Sequence, residues 1–183
     1  MNDNDQSNVM RPDDPKLILK DLMLKYGQDV WNYAYFMTKS KIEADDISQD
    51  VFLNAYKHLS RFEQRSSVKT WLLTITRNRS LNYLTSSFLK RVTITEFVTH
   101  RNNGISAERE AIDRLSVNHI WECVLKLPVK YREVLVMDAH YQLSYSEISS
   151  ILGIAEGTVK SRLHRARKKV DHLLKGAQKY EET

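Results

Sequence analysis

A single cysteine, Cys123, leaves this 183-residue chain without a partner for an internal disulfide and without a thiolate set for a metal cluster. Within a helical pattern it reads as a small buried hydrophobe. No run of about eighteen apolar residues occurs, so no membrane-spanning helix is expected. The first residues, MNDNDQSNVMRPDD, are polar throughout; no signal peptide is predicted, and a cytoplasmic setting is the default. Glycine-rich phosphate loops are missing. Asp45, Asp46, Asp50 and His58 could be imagined as a metal site, but His58 lies about two turns beyond the Asp46–Asp50 face and no second cluster accompanies it. These absences argue against an enzyme, and no cofactor is expected. Only five Gly and three Pro interrupt the chain, and strand alternation is scarce. The expected fold is all-α.

The charge that is present is uneven. The formal net charge is +5 and the sequence pI about 9.2. Residues 1–88 hold 12 basic and 11 acidic side chains, whereas residues 128–183 hold 10 and 7. The excess concentrates after Ala155: up to Lys175 there are seven Lys or Arg, opposed only by Glu156 and Asp171. The stretch SYSEISSILGIAEGTVKSRLHRARKK, Ser144 to Lys169, organises this region. Ser144 and Glu147 form an S-x-x-E capping box, worth about 1 kcal/mol at a helix start. Ile148, Ile151 and Leu152 share one face, and Gly153 stands where a left-handed backbone closes a helix. A second helix begins near Glu156, with Val159, Leu163, Ala166, Val170 and Leu173 as its apolar stripe. Lys160, Arg162, His164, Arg167 and Lys168 lie on its other side. Short helix, glycine turn and basic second helix make a helix-turn-helix plan, which points to DNA. The plainer alternative is a helical hairpin with a solvated basic face.

Upstream, residues 1–14 read as a disordered tail, and Asp14-Pro15 as a helix start. Leu17, Leu19, Leu22 and Met23 lead to Gly27, a candidate break, and Val30, Trp31, Ala34 and Tyr35 continue the apolar face. Ser40 and Glu43 form a second capping box. In the helix after it, Ile47, Val51 or Phe52, Ala55 and Leu59 should face a core. Asp45, Asp46, Gln49 and Asp50 crowd the outer side. Acidic residues in a first turn suit the helix dipole, but Asp50 is too far along for that, so a docking surface for a basic partner competes with the dipole reading. After the polar loop 60–67, Val68, Trp71, Leu72 and Ile75 define another helical stripe. Phe62, Trp71 and Tyr83 are interleaved with Lys69, Arg77 and Arg79. Such a mixture can stack unpaired bases, although Trp71 also suits a core.

The expected organisation is two small helical domains, residues 15–86 and 107–177, joined by a flexible linker over 87–106, with a tail over 178–183. Ser106 would cap a helix through Ile112, Leu115, Ile120, Trp121, Val124 and Leu125. Leu127-Pro128 stops it and starts another, with Val134 and Leu135 inward. Cores of roughly seventy residues supply about 3–5 kcal/mol, so each lobe should gain from docking on something larger.

Three blocks, in order, resemble the extracytoplasmic-function family of bacterial RNA polymerase sigma factors. Ala44-Asp45-Asp46-Ile47-x-Gln49-Asp50-Val51-Phe52 is similar to the helix by which that family binds the polymerase beta-prime clamp. Thr70-Trp71-Leu72, with Ile75 and Arg77-Asn78, resembles its promoter-melting helix. Leu127-Pro128, Tyr145-Ser146-Glu147-Ile148 and the run Glu156 to Arg167 resemble its second, helix-turn-helix domain. Ser149 departs from the usual alanine, Ala155 from a frequent proline and Ser48 from an apolar residue. The resemblance implies core binding through Asp45, Asp46, Gln49, Asp50 and Phe52. It implies minus-ten recognition and melting by Phe62, Lys69, Trp71, Arg77 and Asn78. Minus-thirty-five contacts would come from Thr158, Lys160, Ser161, Arg162, Arg165 and Arg167. Implied partners are core RNA polymerase (beta-prime clamp and beta flap), promoter DNA and an anti-sigma factor, in a stress or envelope response. The competing function is a stand-alone helix-turn-helix transcriptional regulator, which has no need of the Asp46–Phe52 block.

Overall fold

The computed structural model describes residues 15–59, 62, 66–94 and 119–181. Among them there are seven helices and no strand: α1 Pro15–Thr38, α2 Lys41–His58, α3 Val68–Ile94, α4 His119–Lys126, α5 Val129–Ala139, α6 Tyr145–Leu152 and α7 Glu156–Glu181. Gly27 does not break α1, which runs through it as one element. Helix α3 extends to Ile94, so the first part of the expected linker is helical; Ser106, Ile112 and Leu115 lie outside the described residues.

The helix ends follow local chemistry. Ser40 Oγ accepts from Glu43 N at the start of α2. Ser144 and Glu147 form the full reciprocal box at α6, with Glu147 N to Ser144 Oγ at 3.2 Å and Ser144 N to Glu147 Oε2 at 2.9 Å. Gly153 closes α6 with φ 64° and ψ 38°, the left-handed conformation that only glycine adopts without strain. Pro128 precedes α5, where its missing N–H costs nothing. Lys39 and Gln142, at φ 61° and 54°, turn the chain after α1 and α5 without a glycine.

α1, α2 and α3 pack into one lobe, and α4–α7 into another. The lobes then pack on each other. Val30 and every residue from Asn32 to Met37 are buried, as are Arg132 to Met137 on α5. A helix buried all round must be covered from more than one side. Here α1 is covered by α2 and α3 on one side and by α5 on the other. Core residues of both lobes belong to one continuous apolar cluster. The support that each small lobe was expected to need is therefore supplied in part by the other.

Aromatic side chains seal the seam. Phe36 lies 5.3 Å from Trp121 and 5.5 Å from His140, and Tyr33 meets Tyr141 edge to face at 5.8 Å. Polar stitches flank them. Tyr141 Oη donates to the Asp29 carbonyl at 2.7 Å, and Arg132 Nη2 donates to the Met37 carbonyl at 2.9 Å. His140 sits in this apolar contact, and burial pushes its pKa below the usual histidine value, with Asp29 opposing and Lys69 adding to the shift. Cys123 is buried, as the composition implied. Ile120, expected inward, is 47% exposed.

Candidate nucleic-acid and polymerase interfaces

Helix α2 is two-faced. Ala44, Ile47, Val51, Phe52 and Ala55 are buried, while Asp45, Asp46, Gln49 and Asp50 lie toward the outer side, with Asp45, Asp46 and Asp50 among its most open positions. Asp45 is already engaged, accepting from Trp31 Nε1 at 2.6 Å. Phe52 corrects the expected list: at 5% exposure it belongs to the core and presents no surface to a partner. Its neighbour Leu53 is the exposed apolar residue of that turn. Leu53 is 57% exposed, Ile42 73% and Tyr56 38%, so the acidic strip carries apolar side chains at its margins. Sequence spacing held this signal, because Ile42 precedes Asp46 by four residues and Leu53 follows Asp50 by three.

The candidate residues on helix α3, and Phe62 in the chain before it, point in several directions. Phe62 and Trp71 stack at 4.7 Å with a 31° tilt, both partly buried, so Trp71 combines core packing with an aromatic platform. Lys69 and Arg77 turn toward the second lobe. Lys69 Nζ is 3.1 Å from Asp29 and 5.1 Å from the Tyr141 ring centre. Arg77 Nε donates to Glu133 Oε2 at 3.0 Å. Asn78 is exposed. Thr76 and Ser80 are buried, each donating to the carbonyl four residues back at 2.8 Å, which lets hydroxyls sit inside the bundle.

Helix α7 carries the basic face as expected. Val159, Leu163, Ala166 and Val170 are buried, whereas Thr158, Lys160, Ser161, Arg165 and Arg167 are exposed. Thr158, Ser161, Arg162 and Arg165 follow at three- and four-residue steps and share one side. Arg162 is the exception in exposure: it leans inward, with Nη1 3.4 Å from Glu133 Oε1. Arg167 Nη2 donates to Asp138 at 2.7 Å, which ties α7 to α5. Between α4, α5 and α7 opens an apolar groove of about 310 Å³, lined by Trp121, Val124, Leu135, Ala139, Val170 and Leu174.

Glu147 links the turn of this motif to pH. Hydrogen bonds from the Ser144 backbone N–H and hydroxyl hold its carboxyl below the usual 4.5, with a smaller contribution from Thr70. A depressed carboxyl stabilises the fold above its unfolded pKa, and that contribution disappears as pH falls through the folded value. Amide exchange of α6 should accordingly accelerate below about pH 4.5, and Glu147→Gln should flatten the dependence. Equal pH dependence in the two proteins would contradict this origin.

Among the described residues, no group of three His, Cys, Asp or Glu could hold a metal ion, and no helix is long and apolar enough to cross a membrane. A basic helix face in one lobe and an acidic helix face in the other are the charged surfaces that the described residues present. Comparisons with known proteins resolve the class further. The family model described as Sigma-70 region 2 matches residues 22–88, and that described as Sigma-70, region 4 matches residues 118–170. The ECF RNA polymerase sigma factor SigW of Bacillus subtilis (strain 168) is 31% identical over 156 residues, covering 80% of this chain and 83% of SigW. SigM of the same organism is 30% identical over 159 residues, covering 86% and 95%. The chain belongs to the ECF RNA polymerase sigma factors. Sigma factors direct transcription initiation and are not themselves enzymes.

Two solved structures share the fold. The sigma factor RpoE, in complex with the anti-sigma factor NepR from Bartonella quintana, superposes with a TM-score of 0.66 at 24% identity, covering 86% of this chain and 97% of that one. CnrH, in complex with the cytosolic domain of CnrY, gives 0.64 at 24% identity, covering 88% and 90%.

Proposed function

We propose that this sigma factor divides initiation between its lobes: α2 docks on core RNA polymerase, α3 captures the minus-ten element, and α7 reads the minus-thirty-five element. The observation that carries the reading is the pairing of an exposed carboxylate strip on α2 with an exposed basic face on α7 of the same chain. A stand-alone regulator would need only the second.

On α2, Asp46, Gln49 and Asp50, flanked by Ile42 and Leu53, suit a basic helical partner such as the beta-prime clamp. At the start of α3, Trp71 and the preceding Phe62 supply a stacked surface for an unstacked base, while Lys69, Arg77 and Asn78 supply charge and an amide. Base stacking on aromatics contributes about 1–3 kcal/mol per base, enough to offset the few kcal/mol of unstacking. On α7, Thr158, Lys160, Ser161, Arg162, Arg165 and Arg167 suit phosphates and base edges in a major groove. The apolar groove between α4, α5 and α7 suits an apolar segment of the beta flap. An anti-sigma partner and a cytoplasmic setting accord with this reading; RpoE was solved with the anti-sigma factor NepR, and CnrH with the cytosolic domain of CnrY.

Run-off transcription with core polymerase on genomic fragments tests the assignment. Discrete products are expected only when the chain is added. If the purified chain alone binds a promoter duplex tightly and adds nothing to core polymerase, the regulator reading replaces this one.

A further inference from the structure

We infer that Glu133 is a positioning residue for promoter discrimination: its buried carboxylate fixes the Arg162 guanidinium, so that Arg162 selects a guanine edge while its neighbours on α7 hold phosphates. This role rests on the assignment of α7 to the minus-thirty-five element made above. Thr158, Ser161, Arg162 and Arg165 share one side of α7, yet the two arginines differ. Arg165 is exposed and is engaged by no carboxylate among the described residues. Arg162 is largely covered, with 26% of its side chain exposed, and its Nη1 lies 3.4 Å from Glu133 Oε1 on α5. Both partners belong to the second lobe, so the pair is built into the helix-turn-helix body itself.

The carboxylate stands on a fixed support. Glu133 is 3% exposed, and Val134, Val136 and Met137 beyond it on α5 are fully buried. Arg132, just before it, pins the same turn by donating to the carbonyls of Leu125 and Leu127. A carboxylate taken out of water needs cationic partners, and the partners it keeps are ordered in turn. Glu133 Oε2 accepts from Arg77 Nε at 3.0 Å, which leaves Oε1 to Arg162. A second rung joins the same two helices: Arg167 Nη2 donates to Asp138 at 2.7 Å. Residues 133 and 138 on α5 thus meet residues 162 and 167 on α7, five positions apart on each helix. The outer rung is open to water, with 58% of the Arg167 side chain exposed, and an exposed ion pair orders its side chains weakly. The inner rung is shielded, so Arg162 is the arginine whose geometry is set by its support.

That setting suits a base more than a phosphate. A guanidinium presents its N–H donors in one planar fork, and the contact through Nη1 leaves the remaining donors for a second partner. Pairing with Glu133 offsets the positive charge, so Arg162 gains little from releasing counterions along the duplex. Bidentate donation to guanine O6 and N7 depends on orientation, which a supported side chain supplies in advance. Arg165, unpaired with any carboxylate, retains its full charge for the backbone.

The test uses holoenzyme assembled from core polymerase and the full chain. Its templates are a promoter found by run-off transcription and duplexes with each minus-thirty-five base pair replaced in turn. The parent should prefer guanine at one position by about fivefold or more. Glu133→Gln and Arg162→Ala should each reduce that preference to about twofold or less, at the same position and at no other in the element. The double variant should lose no more than either single one, because the residues act as a unit. Arg165→Ala should lower the slope of log affinity against log salt by about 0.9, and Arg162→Ala by less than about half of that. A parent without guanine preference, a loss in Glu133→Gln spread evenly over every position, or losses that add in the double variant would overturn the positioning role. Should Glu133→Gln lose its helical circular dichroism, Arg162→Lys decides, since it keeps the charge and leaves the buried carboxylate in place. It should lose the guanine preference, and retention of the preference by the lysine variant overturns the proposal. If the parent holoenzyme initiates on no genomic fragment, the functional assignment fails instead, a result distinct from any of these.

Discussion

Asp50→Arg should abolish capture of core RNA polymerase by the full chain and, with it, run-off transcription, while leaving the helical circular dichroism unchanged. Asp50 is exposed on α2, beyond the first turn where the helix dipole would account for an acidic residue. Its nearest acidic neighbour on the face is Asp46, four residues back, a like-charge pair that slightly destabilises an isolated helix. Replacing Asp50 by Arg turns that repulsion into an attraction of about 0.2–0.5 kcal/mol, so the fold has nothing to lose. At a basic partner surface the same change sets cation against cation, which costs several kcal/mol, or roughly a hundredfold or more in affinity. The two consequences have opposite sign, which makes the experiment decisive. Pull-down of polymerase by the variant at parental levels would remove α2 as the docking helix.

Arg132→Ala should lower the melting temperature by roughly 6–20 °C. Arg132 is 3% exposed, and its guanidinium donates to three carbonyls: Leu125 at 2.8 Å, Leu127 at 3.2 Å and Met37 at 2.9 Å. The first two belong to the end of α4 and the chain just after it; the third is near the end of α1 in the other lobe. A single side chain therefore caps carbonyls from both lobes. Burial pulls its pKa down to about 10, against the favourable charge of Glu133, so the group remains a cation at neutral pH. Truncation leaves three carbonyls short of a donor and opens a cavity, at about 3–5 kcal/mol. Total stability is only about 5–15 kcal/mol, and each kcal/mol shifts the melting point of a chain this size by about 2–4 °C. Arg132→Lys should not restore it, because one ammonium cannot span three carbonyls in different directions. A shift under about 2 °C in differential scanning calorimetry would show that the caps are dispensable.

The helix-turn-helix is readable residue by residue. Ser144, Glu147 and Gly153 are boundary residues whose effect operates over a few positions, and the stripe Val159–Leu163–Ala166–Val170 is a period that any one-sided helix must show. The acidic strip on α2 is readable for the same reason, since its outward face and its buried face alternate regularly. Phe52 is ambiguous in sequence because two adjacent apolar residues, Val51 and Phe52, both fit the inward face; three-dimensional packing takes both and leaves Leu53 outside.

Other features have no local signature. Nothing in the spacing of Asn32 to Met37 distinguishes a helix covered on one side from a helix covered on two, and the adjacent charged pair Arg132 and Glu133 reads as solvent-facing. Their burial depends on partners 95 residues away for Arg132 and Met37, 56 for Glu133 and Arg77, and 29 for Glu133 and Arg162. Identity as a sigma factor, the all-helical class and both candidate faces were therefore written in short-range pattern. The closing of one lobe on the other, and with it the sharing of Glu133 between two arginines, arose only when distant segments met. Hydrophobic burial is blind to sequence separation, and a charge buried by it must take whatever partner the assembled fold brings within reach.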